Sequence, residues 1–224
     1  MTGDTGGRRE RRKAQTRAEV REAAQRLFAE RGFDAVTIAD VAAAAEVAVQ
    51  TVFNHFETKE ALFFDGRTPW VERAVAAVTE RAPDRDPISA LRDYLETDLI
   101  EILGRESRPE NRGYLEALRA SPSLQARERT LVEETGQRVA AALVSAIAEG
   151  DRTTTDDATA EVLSQLVADL FLMAGRVLVL ENRRLLLGPE PAAAHQLQRT
   201  TVLTLSALEQ CVRGLAGRML DPPG

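Results

Sequence analysis

The sequence predicts an all-α protein with a small N-terminal helical domain and a larger C-terminal helical body. Helix is favoured over sheet because alanine, leucine, arginine and glutamate are abundant, while aromatic residues make up only 4% of the chain. Apolar residues also recur every three or four positions, which is the spacing of one helix face. We assign residues 1–14 to a flexible basic arm, 15–60 to the N-terminal domain and 61–224 to the body.

The N-terminal arm differs in charge from the rest of the chain. Residues 1–7 are polar and glycine-rich, a composition that disfavours packing. Residues 1–17 hold six basic and two acidic side chains, whereas the whole chain carries a net charge of −6. A basic end on an acidic chain suggests contact with a polyanion. Two interpretations stay open, a solvated helix start and an arm that reaches DNA phosphates or the minor groove.

The first helix of the N-terminal domain is predicted from about Gln15 to Arg31. One apolar stripe runs along it, formed by Val20, Ala23, Ala24, Leu27 and Phe28. Gly32 follows directly, as glycine often does just past the end of a helix. This helix is therefore expected to bury one face in a small core.

The segment 37–55 predicts two short helices joined by a tight turn. Thr37 and Asp40 have the spacing of a capping box, so the second helix begins just after Thr37. Residues 45–47 are assigned to the turn and residues 48–55 to the third helix. This pattern is a helix-turn-helix, whose second helix enters the major groove of DNA.

Thr58 is expected to cap a fourth helix that reaches about Arg81. Pro69 lies within that stretch and removes a helical hydrogen bond, so a kink or an earlier end is predicted. A proline-containing linker follows at 82–87. Five further helices are predicted in the body, at about 88–103, 111–120, 122–149, 155–187 and 192–219.

The final helix carries two apolar stripes, which predicts burial on two sides. One side can face the chain's own body and the other a second copy, so that two helices from each copy form a four-helix bundle. The residues assigned to this dimer interface are Val162, Leu166, Leu170, Leu197, Thr201, Thr204, Leu208, Cys211 and Leu215.

The N-terminal domain resembles the TetR family of bacterial transcriptional regulators. The resemblance runs from Arg17 to Leu62, about 45 residues, and includes Phe33-Asp34-Ala35-Val36-Thr37 and Phe56-Glu57-Thr58-Lys59-Glu60-Ala61-Leu62. It implies a two-fold symmetric dimer whose third helices lie about 34 Å apart, one turn of DNA. The body matches the family only in length and helix layout.

The resemblance implies a set of DNA contacts at Arg17, Thr37, Val49, Gln50, Thr51, Phe53, Asn54, His55 and Lys59. Gln50 and Val49 would face base edges, since glutamine pairs with adenine and valine touches a thymine methyl. Phosphates would be held by Thr37, Thr51, His55 and Lys59. Asn54 would reach either the DNA backbone or a base.

Three residues depart from the family pattern around the turn. Phe53 stands where a tyrosine hydroxyl usually binds phosphate, so it is expected to pack against sugar or core instead. Glu46 stands where glycine is usual, and costs about 1 kcal/mol if its φ is positive. Ala48 replaces a capping serine, at a cost of about 1 kcal/mol. We therefore predict a less rigid turn.

The resemblance also implies a pocket for a small, mostly apolar ligand in the body. The candidate lining residues are Trp70, Leu91, Tyr94, Leu95, Asp98, Tyr114, Leu118, Val139, Leu143, Phe171 and Arg176. Plain core packing is the competing interpretation for each of them. A ligand that fits only one arrangement of the dimer would change its DNA affinity.

Several other function classes find no support in the sequence. The chain has one cysteine, Cys211, so no disulfide can form within it, which is typical of a reducing compartment. We find no metal-ligand spacing, phosphate-binding loop or histidine cluster, and expect neither enzyme activity nor a cofactor or metal. We also expect a cytoplasmic protein with no membrane segment. The alternative to a ligand-responsive repressor is an activator or a regulator controlled by a protein partner.

Overall fold

The computed structural model describes residues 5–68, 71, 73–150, 157–189 and 194–220, and every helix or strand element among them is helical. This confirms the predicted all-α class. The α-helices, in chain order, are α1 Thr5–Arg31, α2 Ile38–Ala44, α3 Val49–Phe53, α4 Lys59–Phe64, α5 Ala74–Thr79, α6 Pro87–Glu106, α7 Arg112–Ala120, α8 Pro122–Gly150, α9 Asp157–Leu186 and α10 Ala194–Leu220. A 3₁₀ turn at Pro109–Asn111 precedes α7.

The chain divides into two compact units. The first consists of Met1–Thr68 with Gly113–Arg127, and the second of Pro69–Arg112 with Glu128–Gly224. The first unit thus includes α4 and α7, which the sequence assigned to the body. The division into a DNA-binding part and a regulatory part stays a prediction.

Helix α1 is longer than predicted, because it begins at Thr5 rather than near Gln15. Residues 8–13 are therefore helical where the sequence suggested a flexible arm. Of the two interpretations left open, the structure has the helix start, which suits arginine, lysine and glutamate as good helix formers. Arg11 Nε also donates to the Gly7 carbonyl at 3.1 Å within this segment.

The core of the first unit is built on the predicted stripe of α1. Its five residues are each at most 5% exposed. Phe28, Phe33 and Phe63 pack together with ring centroids 5.2–5.7 Å apart. Tyr114 of α7 stacks on Phe63 at 4.9 Å between centroids. This aromatic stack is what places α7 in the first unit.

Helix α4 ends at Phe64, which corrects the prediction of a helix reaching Arg81. The chain then turns, and Gly66 has a φ of 67°, outside the helical region. The earlier end that Pro69 suggested is therefore the correct alternative, although Pro69 itself lies outside the described residues.

The second unit packs α5, α6, α8, α9 and α10 around one apolar core. Its fully buried residues include Leu91, Leu95, Leu99, Phe171 and Leu205. At the start of α6, Asp86 accepts a hydrogen bond from Ser89 N, and Pro87 occupies the first turn.

A buried ionic cluster joins α6, α8 and α9 in this unit. Arg183 donates from Nε to Glu106 Oε1 at 2.8 Å and from its η-nitrogen to Glu128 Oε1 at 2.6 Å. Asn182 Nδ2 donates to the other oxygen of Glu106 at 3.2 Å. Burial raises the pKa of Glu106 above its ordinary value of 4.5, although Arg183 acts in the opposite direction. Residue spacing gave no indication of this cluster.

Helix α9 is long and apolar enough to cross a membrane by length and composition alone, with a mean hydropathy of 1.7 over its best window. This criterion alone does not decide between a membrane helix and a core helix. Core helices of soluble proteins have the same composition, and Ala168, Phe171 and Leu172 of α9 lie in the apolar core of the second unit. The helix therefore packs as a core helix.

Candidate nucleic-acid interface

The turn between α2 and α3 is closed by backbone hydrogen bonds. Val47 N donates to the Ala42 carbonyl at 2.9 Å, and Glu46 N donates to the Ala43 carbonyl at 3.2 Å. These two bonds form a Schellman motif, which needs a left-handed residue at its centre. That residue is Glu46, with a φ of 55°. The positive φ on which the predicted strain at Glu46 depended is therefore confirmed.

The two helices of the motif begin differently. Thr37 Oγ1 accepts from Asp40 N at 3.1 Å, and Asp40 Oδ2 accepts from Thr37 N at 2.8 Å, which confirms the predicted capping box. These bonds to Thr37 hold the pKa of Asp40 below its ordinary value. The Thr37 hydroxyl also donates to Asp40 Oδ2 at 2.6 Å, so it is already engaged in capping. Ala48 begins α3 with no side-chain cap.

Helix α3 turns one residue inward and several outward. Val52 is fully buried, whereas Val49 is 42% exposed and Phe53 is 46% exposed. Packing against the core, one of the two roles expected for Phe53, is therefore wrong. Gln50 and Asn54 are exposed as well, and Gln50 Nε2 donates to Asn54 Oδ1 at 3.2 Å. Thr51 is half-buried.

Arg17 holds α1 against the end of α3. Its guanidinium donates to the His55 carbonyl at 2.9 Å, forms an ion pair with Asp65 and lies 4.4 Å from the Phe56 ring centroid. Arg17 is thus placed beside the expected DNA face, with much of its bonding capacity used inside the unit.

His55 is half-buried, and its Nδ1 has no hydrogen-bond partner among the described residues. Desolvation lowers the pKa of His55, and the positive charges of Arg17 and Lys13 lower it further. Lys13 therefore lies close enough to act on His55. Lys13 and Arg17 of α1 are therefore the cations nearest to His55 in that effect.

Lys59 is bonded within the first unit, and its predicted phosphate contact stays a prediction. Its Nζ donates to the carbonyls of Phe33 and Val36 at 2.9 and 3.0 Å, and it lies 4.2 Å from the Phe33 ring centroid. Two of its three donors thus satisfy loop carbonyls, which fastens α4 to the loop before α2. The predicted cap of α4 is confirmed, since Thr58 Oγ1 accepts from Ala61 N at 3.0 Å.

This geometry coincides with the part of the sequence that matches a known family. Residues 20–65 match the model of the bacterial regulatory proteins, tetR family. Residues 20–65 are therefore a DNA-binding domain of the TetR type. The chain is a DNA-binding transcriptional regulator, and proteins of this family are generally non-enzymatic.

Several solved structures resemble this chain in fold, with sequence identities of 19–20%. SmeT in complex with triclosan is 19% identical with a TM-score of 0.53, over 88% of this chain and 91% of that one. Salmonella enterica GusR is 20% identical with a TM-score of 0.49, over 90% and 95%. A TetR-family regulator from Pectobacterium atrosepticum is 20% identical with a TM-score of 0.48, over 95% and 98%. No curated protein sequence matches the chain.

Most of the predicted ligand residues are part of the second unit's solid core. Leu91, Leu95, Val139, Leu143 and Phe171 are at most 1% exposed and belong to the same apolar cluster. Tyr94 packs at the edge of that cluster, and Asp98 is half-buried.

The remaining ligand candidates are dispersed. Tyr114 and Leu118 belong to α7 in the first unit, where Arg67 lies over the Tyr114 ring at 4.6 Å. Trp70 lies outside the described residues. Arg176 lines a groove of the second unit, in a different place from the buried candidates of the apolar core.

The groove beside Arg176 has a volume of about 520 Å³ and lies between α8 and α9. Val132, Leu170 and Met173 contribute apolar surface, and Arg129 lies on the α8 side. The two helices approach closely at Gly136, where a Cβ atom would lie 2.8 Å from Asp169 Oδ1. The groove could not be read from the sequence because its residues come from two helices with different apolar stripes.

The predicted dimer residues divide into outward and inward groups. Val162 and Leu166 on α9 and Cys211 on α10 are exposed. Leu170, Leu197 and Leu208 pack partly against the unit's own core, and Thr204 is half-buried. Thr201 is fully buried and donates to the Leu197 carbonyl at 2.8 Å, which corrects its assignment to a partner-facing stripe. The Leu215 side chain lies outside the described residues.

Helix α9 carries an exposed apolar stripe that the prediction covered only in part. Its five residues are 38–63% exposed and follow one another at three-, four- and seven-residue spacing: Val162, Leu166, Met173, Val177 and Leu180. The sequence thus predicted the outward positions in the first half of α9, Val162 and Leu166. It missed those in the second half, Met173, Val177 and Leu180.

Proposed function

We propose that this protein is a repressor that binds a palindromic operator as a dimer and is released from it by a small, mostly apolar ligand. The observation that carries the proposal is the surface of α3. Val49, Gln50, Phe53 and Asn54 are exposed on α3, and the same unit carries the exposed basic start of α1. One unit thus offers uncharged groups that can meet base edges and cations that can meet phosphates.

The basic stretch of α1 supplies the electrostatic attraction in this proposal. Arg8, Arg9, Arg11, Arg12 and Lys13 are all exposed on the helix. These five exposed cations are candidates for phosphate contacts, beside Arg17 and Lys59. Phosphate neutralisation makes affinity fall steeply with salt, so binding is best measured at about 50 mM salt.

The exposed apolar stripe of α9 supports the dimer. Its residues extend over 18 positions, about 27 Å of helix. Contiguous apolar surface of this kind is unfavourable in water and marks an interaction site. A two-fold dimer is the simplest occupant, because the same stripe meets itself across the axis. A dimer also explains why a palindromic operator is expected.

The effector site is proposed at the groove between α8 and α9. The groove combines apolar walls with two basic side chains, Arg129 and Arg176, and two acidic ones, Glu133 and Asp169. Such a lining fits a mostly apolar molecule that carries one polar group. SmeT, which shares the fold of this chain, forms a complex with triclosan. The groove shares Leu166 and Met173 with the stripe of α9, so a bound ligand would alter the arrangement of the dimer.

Footprinting of the gene's own upstream region tests the DNA-binding part. We expect protection of a palindrome at low salt without ligand, and repression of a reporter placed behind it. Absence of any protected palindrome there would contradict autoregulatory repression. A protected site combined with increased reporter expression would identify an activator instead.

A thermal-shift screen of small apolar molecules, followed by release of the protein from the protected DNA, tests the effector part. Arg176→Ala is expected to weaken release by a hit compound. Arg184→Ala, on the same helix but exposed outside the groove, is the matched control and should not. Equal release from both variants would contradict the groove as the effector site.

A further inference from the structure

We propose that α3 reads A·T base pairs, with Val49 and Phe53 contacting two thymine methyl groups and the Gln50–Asn54 pair contacting adenine. The inference rests on the proposed function, in which α3 enters the major groove. It goes beyond that function by naming the bases that the helix selects and the chemical group that it recognises.

The first observation is the pair of exposed apolar side chains on α3. Val49 and Phe53 lie one helical turn apart, while Val52 between them is fully buried. Neither exposed residue is thus needed to fill the core of the first unit. In water both side chains are left partly hydrated, so contact with an apolar surface is favourable. In the major groove of DNA that surface is the C5-methyl group of thymine.

The second observation is the absence of a guanine reader. The stretch from Val49 to Asn54 contains no arginine or lysine, which are the residues that pair with guanine through its O6 and N7. Recognition of a G·C pair by this helix would therefore lack its commonest contact. A thymine methyl group, in contrast, can contact either of two apolar side chains, Val49 or Phe53.

The third observation is the hydrogen bond between the two amides. Gln50 Nε2 donates to Asn54 Oδ1 at 3.2 Å, which fixes both side chains relative to each other. The bond leaves the Gln50 oxygen as an acceptor and hydrogen atoms of the Asn54 amide as donors. Adenine presents the complementary pair, the N6 amino donor and the N7 acceptor. Adenine is also the base opposite thymine, so both contacts favour the same base pair.

The spacing of the apolar pair predicts the spacing of the thymines. Residues four apart rise about 6 Å along a helix. Base pairs are about 3.4 Å apart along DNA, so the two methyl groups should belong to thymines about two steps apart. The inference thus predicts a short A·T-rich core in each half-site.

Phe53 has one competing role, contact with the sugar-phosphate backbone. In that position its contribution would be the same for every base. Phe53→Tyr would then add a hydroxyl that can donate to phosphate, and would strengthen binding to all duplexes alike. The two roles therefore predict different results, because removal of a single thymine methyl group weakens binding only if Phe53 contacts that group.

The experiment uses the full chain and duplexes selected by it from a random-sequence library. We expect A·T pairs at the core of each half-site. Thymine in that core is then replaced by deoxyuridine, which removes only the C5-methyl group. Each of the two contacted methyl groups should be worth about fourfold in Kd, the value of one buried carbon group. Deoxyuridine outside the core is the matched control and should have no effect.

Two variants assign the methyl groups to side chains. Val49→Ala and Phe53→Ala should each abolish the deoxyuridine effect at one position and leave it at the other. Because Phe53→Ala removes a large ring, Phe53→Leu provides a second variant, and circular dichroism checks that each variant is folded. Phe53→Leu should retain part of the methyl preference.

The outcomes separate this inference from the proposed function. Tight binding with no response to deoxyuridine, or a uniform gain with Phe53→Tyr, would overturn the methyl readout while DNA binding stands. Selected half-sites with G·C cores would overturn it as well. Failure to retain any duplex at low salt would instead overturn the proposed function.

Discussion

In the first unit apolar side chains lie exposed on α3, whereas in the second unit charged side chains lie buried between α6, α8 and α9. The exposed residues, Val49 and Phe53, share α3 with the amide pair of Gln50 and Asn54. The buried ones, Glu106, Glu128 and Arg183, are at most 7% exposed. Both sets depart from the rule that apolar groups lie inside and charges outside.

The two departures have different physical consequences. An exposed apolar pair costs the folded unit little and becomes favourable only when a partner covers it. A buried set of two carboxylates and one guanidinium carries its desolvation cost in the folded state itself, and depends on its one cation. Substitutions on α3 should therefore change binding, while substitutions in the cluster should change stability.

The largest effect is expected from Arg183→Met. The substitution leaves Glu106 and Glu128 buried without their shared cation, and breaking a buried ion pair in this way costs about 3–5 kcal/mol. Urea unfolding followed by circular dichroism measures the loss. Arg184→Met is the matched control, because this neighbour is exposed and pairs with Glu181 on the same helix face. Similar urea midpoints for the two variants would contradict a special role for the cluster.

A second effect concerns the other exposed apolar surface, the stripe of α9. Val177→Glu should place like charges near each other across a two-fold axis and convert the dimer to monomers in analytical ultracentrifugation. Operator affinity should fall by about 100-fold or more, because the dimer binds two half-sites at once and a monomer binds only one. Thr97→Glu, at an exposed site of α6, should leave both properties unchanged. A dimeric Val177→Glu protein would show that α9 does not carry the interface.

The features that could be predicted well from the sequence are local ones. The capping box of Thr37 and Asp40 and the unusual turn at Glu46 depend on neighbours a few positions away, so spacing alone reveals them. The contacts of Lys59 with Phe33 and of Arg183 with Glu106 join residues 26 and 77 positions apart. Nothing in residue spacing indicates such pairs. The bonds of Lys59 to the loop before α2 and the buried ionic cluster were therefore both missed.

The same limit of local spacing explains the uneven prediction of surfaces. Amphipathic spacing identified Val162 and Leu166 correctly as outward, because the first half of α9 has one clear stripe. It misplaced Thr201, whose hydroxyl is satisfied by the Leu197 carbonyl and so can be buried without a lost hydrogen bond. Polarity of a side chain is a poor guide to exposure when its own helix provides the partner.

A smaller effect is expected at the turn before α3. Glu46 has positive φ, and Glu46→Gly should stabilise the first unit by about 1 kcal/mol. Ala48→Ser should add a similar gain by capping α3. Ala43→Gly, at an exposed helical position of α2, is a control with the opposite sign. If the two substitutions, alone and together, leave thermal stability and operator affinity unchanged, the predicted looseness of the turn is wrong.

The smallest effect is the dependence of stability on pH, in which the two regions should act with opposite sign. Burial raises the pKa of Glu106 above 4.5, so the folded chain holds a proton that the unfolded chain releases, and this contribution to stability is lost as pH rises from about 4.5 through the folded pKa.

His55 has a lowered pKa, so the folded chain binds fewer protons than the unfolded one just below pH 6.5, and stability rises as pH approaches that value. Glu106→Gln should remove the decline and His55→Gln the rise, when urea midpoints are compared across this range. Glu106→Gln also removes the excess negative charge of the cluster, so it should be at least as stable as the original chain at neutral pH. A decline that persists in the Glu106→Gln protein would mean that another buried acid carries it, and that the buried cluster does not set the pH response of the second unit.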